Sequence, residues 1–91
     1  MSEVCKFKFM DGITEEMIEE QITAAIVSAE CTFGQARVRL HASYAASDGK
    51  TVINVDSDVG EHIAQVFTGL MTRQIGEKNF TVEWINEKGE E

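Results

Sequence analysis

The dipeptide Asp48-Gly49, standing between two runs of alternating residues, constrains this chain more than any other feature. A type I′ turn needs positive φ at both central positions, and Asp-Gly tolerates that conformation, so the flanking runs are expected to fold back on each other as a hairpin. From Arg37 to Ser47 the chain alternates Val38, Leu40, Ala42, Tyr44 and Ala46 with Arg37, Arg39, His41, Ser43 and Ala45, and Lys50 to Ser57 forms the return strand. Counting outward from a two-residue turn sets the register: Ser47 faces Lys50, Tyr44 faces Ile53, Ala42 faces Val55 and His41 faces Asp56.

An amphipathic segment stands on each side of the hairpin. Before it, Thr14 is placed as an N-cap with Glu15 and Glu16 in the first turn, and Ile18, Ile22, Ala25, Ile26 and Ala29 form one apolar stripe. This predicts a helix from about Glu15 to Cys31, stopped by Gly34. After it, Asp58 with Glu61 reads as a capping pair, Ile63, Val66, Phe67, Leu70 and Met71 share a side, and Gly76 ends the helix. Period-two runs open and close the chain, with Phe7 and Phe9 alternating with Lys6 and Lys8, and Phe80, Val82 and Trp84 with Thr81 and Glu83.

The order strand, helix, strand, strand, helix, strand predicts an α+β fold, a ferredoxin-like βαββαβ plait with a four-stranded antiparallel sheet and two helices on one face. Right-handed crossovers place the first strand between the third and fourth. With 91 residues and no Pro, linker or repeat, residues 1–91 form one domain, its core at about 3–86 and a polar tail at 87–91. The expected core is Cys5, Phe7, Phe9, Leu40, Ala42, Tyr44, Ile53, Val55, Phe80, Val82 and Trp84. Motifs of three families that share this plan are missing. The loop Met10-Asp11-Gly12-Ile13 has neither the Cys-Xaa-Xaa-Cys of heavy-metal-associated domains nor the glycine-rich phosphate loop with Arg of acylphosphatases, and two cysteines cannot supply a ferredoxin cluster.

Charge narrows the function. Sixteen acids against eight Lys and Arg give a net charge of −8, which argues against nucleic acid and anionic membrane. No apolar stretch is long enough to span a bilayer, and the first residues lack a secretory signal, so a cytoplasmic protein is expected. On the predicted plait, however, the side of the sheet away from the helices collects Lys6, Lys8, Arg37, Arg39, His41, Asp56 and Glu83 as a binding face, while Glu15, Glu16, Glu19, Glu20 and Glu30 lie on the first helix. The stacking aromatics that RNA-recognition modules need are missing from that face. Its expected partners are an acidic protein, a small anionic ligand, or a second copy of the chain in a homodimer or higher oligomer. The preferred function is a small non-enzymatic binding or assembly module. The alternative is a ligand sensor or enzyme with a site formed between protomers from His41 and Asp56.

Other chemistry has a plainer reading. His41 beside Asp56 and Ser43 reads as a cross-strand pair rather than a triad, since three parallel side chains on a sheet converge poorly. Cys5 and Cys31 are expected near each other, as buried unconnected thiols or, failing that, as a redox-responsive pair or a soft-metal site. Asp11, Asp56, Asp58 and Glu61 are expected at one edge of the sheet, where capping explains them more simply than a hard cation. Met17, Ala24 and Val27 lie off the apolar stripe, as scattered surface residues or a helix contact between copies. No cofactor or bound metal is expected.

Overall fold

The computed structural model describes residues 3–47 and 49–86. Strands β1 (Glu3–Phe9), β2 (Tyr44–Ser47), β3 (Lys50–Asn54) and β4 (Phe80–Asn86) form one antiparallel sheet in the order β2-β3-β1-β4, with β1 between β3 and β4 as the crossover rule expects. Helices α1 (Glu15–Phe33), α2 (Gln35–His41) and α3 (Asp58–Ile75) complete an α+β architecture, and a 3₁₀ turn at Glu77–Asn79 leads into β4. The hairpin register is the expected one where it can be read: Tyr44 lies opposite Ile53 and Ser47 opposite Lys50. The turn residue Asp48 and the tail 87–91 lie outside the described residues, and Asn86 ends β4.

The main correction concerns Arg37 to His41, expected in a strand and found in α2, which makes three helices rather than two. Gly34 explains the change. At φ 93° its N–H donates to the Glu30 carbonyl, closing α1, while its own carbonyl accepts from Val38 and opens α2. Ala36, Arg37, Arg39 and Leu40 are good helix formers, and only Val38 of the seven residues is buried. The sheet ladder starts after this helix, so the predicted facing of His41 with Asp56 does not form.

Local chemistry sets the other ends. Thr14 caps α1, its hydroxyl accepting from the Met17 N–H at 3.1 Å. The cap of α3 is Ser57 rather than Asp58, with Ser57 Oγ accepting from the Gly60 N–H at 3.1 Å. Gly60 itself presses on the end of β3: a Cβ there would run into the carbonyl of Asn54 and stand 3.2 Å from Val55 Cα.

The core lies between the sheet and helices α1 and α3, where Cys5, Phe7, Thr51, Ile53 and Val55 meet Ile18, Ile22, Ala25, Ile63, Phe67 and Met71. Phe67 stands edge-on to Phe7, with ring centres 4.9 Å apart at 82°, and to Phe9, 6.2 Å apart at 85°. Four expected core residues are exposed instead: Leu40 by 79%, Tyr44 by 47%, Val82 by 44% and Trp84 by 54%. Leu40 left with α2. The other three keep the predicted side of the sheet but sit on its two outer strands, beyond the cover of the helices.

Candidate functional site

The uncovered face of the sheet carries Val4, Lys6 and Lys8 of β1, Lys50, Val52 and Asn54 of β3, and Thr81, Glu83 and Ile85 of β4. Three of the predicted site residues come together here. Lys6 lies between Val52 and Glu83 in register, and Lys8 lies between Lys50 and Thr81. Cross-strand neighbours have Cβ atoms about 4.5–5.5 Å apart, so Lys8 and Lys50 are like charges held side by side. Lys50 escaped the sequence reading, although its even spacing with Val52 and Asn54 places it on this face. At the other end of β3, Val4, Ser43, Tyr44, Ala45, Val52 and Asn54 line a shallow depression of about 160 Å³, below the roughly 300 Å³ at which small-molecule pockets begin.

Arg37, Arg39 and His41 do not join the lysines. They lie on α2, where the Arg37 guanidinium stacks 5.0 Å over the Phe33 ring and reaches Asp58 at 3.9 Å. Phe33 in turn stands edge-on to His62, 5.5 Å away, and His62 Nε2 shares a 3.0 Å hydrogen bond with the Ser28 hydroxyl. Ser28, Phe33, Arg37, Asp58 and His62 therefore join α1, α2 and α3. A Ser–His contact at this distance is one part of a nucleophile–base pair, but no carboxylate orients the other ring nitrogen among the described residues. Sequence spacing did not reveal the group, because Ser28 and His62 are 34 positions apart.

Asp56 has a structural task. Its carboxylate accepts from the Glu3 N–H at 2.7 Å and from the Asn54 amide at 3.2 Å, while its own N–H donates to Asn54 Oδ1 at 3.0 Å. These bonds fasten the start of β1 to the end of β3. They also correct the predicted carboxylate cluster: Val4 pairs with Asn54 and Lys8 with Lys50, so Asp11, beyond β1, is at the opposite end of the sheet from Asp56. Among the described residues no three His, Cys, Asp or Glu are grouped to hold a metal ion.

The thiols also differ from expectation. Both cysteines are free, with Cys5 buried on the helix side of β1 and Cys31 exposed on α1. Burial, and after it the Glu61 carboxylate, pushes the Cys5 thiol above its usual range, which keeps it protonated and unreactive. On α1, Met17 is half-buried and Val27 is half-exposed. Among the described residues no helix is long and apolar enough to cross a membrane. Comparison with protein-family models, curated proteins and solved structures finds no match.

Proposed function

We propose that this chain is a small non-enzymatic binding and assembly module whose open sheet face takes an acidic segment across Lys6, Lys8 and Lys50. One observation carries the reading. Lys8 stands directly opposite Lys50 on an uncovered face, and like charges so placed destabilise a sheet until an anion lies between them. The shallow relief of the face suits an extended or helical partner better than an enclosed substrate. Such a segment exists in the chain itself: Glu16, Glu19 and Glu20 are exposed on α1, so another copy, like an acidic protein, has the complementary charge. The fold itself we infer to be a ferredoxin-like plait modified by α2, because the remaining elements keep the strand, helix, strand, strand, helix, strand order.

The test is a titration with a poly-glutamate peptide and, separately, with inorganic phosphate, followed by backbone amide shifts. Shifts confined to β1 and β3 around Lys6, Lys8 and Lys50, abolished by K8E/K50E and weakened by salt, are expected. A sheet face that stays silent to both probes overturns the proposal.

A further inference from the structure

The hydrogen-bond phase of the sheet shows what the outer edge of β4, unpaired among the described residues, offers. Met10 donates to Asn79 and Phe9 to Gly49, so even-numbered residues of β1 bond toward β4 and odd-numbered ones toward β3. Register then assigns the odd residues of β4 inward, and Phe80, Val82, Trp84 and Asn86 turn their N–H and C=O groups out along the edge. This edge is seven residues long, has no Pro, and carries one ionisable side chain, Glu83. Natural sheets blunt such edges with charge, Pro, bulges or a covering segment, because a bare edge is a template for another strand. Val82 and Trp84, about half exposed, add an apolar band beside it.

We propose that a second copy of the chain covers this edge, with β4 pairing antiparallel to its counterpart about a two-fold axis through Val82. Three centres, at Val82, Glu83 and Trp84, bring at least three pairs of outward residues of β4 together, and charge selects among them. An axis through Glu83 sets the two carboxylates face to face, the arrangement that cross-strand pairing penalises. An axis through Trp84 sets Glu83 against Ile85 of the other copy, with Val4 behind it, and so buries the carboxylate among apolar groups. With the axis through Val82, Glu83 faces Thr81 of the other copy, and Thr81 lies beside Lys8. Each Glu83 then has Lys6 of its own chain beside it and, one strand beyond Thr81, Lys8 of the other, so no carboxylate meets a carboxylate or an apolar neighbour along that row.

On the helix side the same axis lays Trp84 against Phe80 of the second copy and Val82 against Val82. Phe80, Val82 and Trp84 each enter a bonded pair, giving roughly six N–H···O bonds across the axis. The contact is self-complementary and closes at two chains. The open faces become one continuous surface with a lysine group on each side of the axis. The pairing does not depend on what those lysines bind.

Sedimentation equilibrium of the full chain is expected to show a dimer, and the emission of Trp84, the only tryptophan, to shift to the blue as concentration rises. V82K brings two ammonium groups together on the axis and is expected to weaken association about a hundredfold, with circular dichroism unchanged. In a C31S background, V82C is expected to give an interchain disulfide on mild oxidation, because bonded antiparallel partners have Cα atoms about 5.5 Å apart, within disulfide reach. E83C and W84C in the same background are expected to cross-link poorly. A chain that stays monomeric at high micromolar concentration overturns the proposal, as does a dimer indifferent to V82K or one cross-linked best through E83C or W84C. If V82K does not fold, the cross-linking series decides. K50E separates this contact from the docking face, because it breaks the lysine pair and weakens poly-glutamate binding while V82C still cross-links.

Discussion

Strands β1 and β4 lie side by side with the same alternation, and their fates differ. Phe7 and Cys5 of β1 are opposite Val82 and Trp84 of β4 on the helix side of the sheet, yet the first two are 0% and 4% exposed and the second two 44% and 54%. Only the position of the helices separates them. Phe67 of α3 closes over Phe7 and Phe9, whereas beyond Phe80 the outer strand runs out from beneath that cover. A period of two therefore names the side of a sheet a residue takes, and a neighbouring element decides whether that side is dry.

The comparison is broken most strongly from the inside. F7A removes a fully buried ring that stacks with Phe9 and Phe80 and meets Phe67, and it is expected to cost about 3–5 kcal/mol in denaturant unfolding. V82A, measured in the same way below the association range, is expected to cost under about 1 kcal/mol, since its side chain is already half in water. Equal losses would mean that β4 is as well covered as β1. An effect between these two is expected where α3 is seated on the sheet. G60A drives a methyl group into the Asn54 carbonyl and is expected to cost about 1–3 kcal/mol, with amide shifts confined to the junction of β3 and α3.

The smallest effect is read in the thiols. Cys31 is expected to react with a disulfide reagent in the native chain, and Cys5 only after unfolding. Because the folded thiol of Cys5 titrates above the unfolded one, the unfolded chain loses that proton first. Stability is then unaffected below the ordinary thiol range and falls as pH climbs from the unfolded value toward the folded one. C5A is expected to flatten that fall, and a chain with identical alkaline unfolding before and after the substitution would place Cys5 in water.

Much of the fold was legible because single residues with strong local preferences punctuate it. Thr14 as a cap, Gly34 and Gly76 as stops, and the Tyr44–Ile53 register all follow from backbone chemistry that acts within a few positions. Arg37 to His41 was misread because a short run with Val38 and Leu40 between charged residues fits a strand's alternation, while helix propensity and the exit from Gly34 favour a turn and a half of helix. The site was legible in the same proportion. Lys6, Lys8 and Glu83 follow from strand parity, whereas the Ser28–His62 contact depends on how α1 and α3 meet, and the exposure of Val82 and Trp84 depends on where they stop.

Gly34 also sets the charge where the helices meet. By turning Arg37 and Arg39 into a helix beyond the end of α1, it leaves cations at one end of a rod of about 28 Å whose other end carries Glu15 and Glu16. Those side chains oppose the rod's own backbone dipole, acids at its positive end and a guanidinium beyond its negative end. The same Arg37 reaches Asp58 in the first turn of α3, so one guanidinium answers the negative end of one helix and an acid at the positive end of another. One backbone angle thus decides which charges meet where the three helices join.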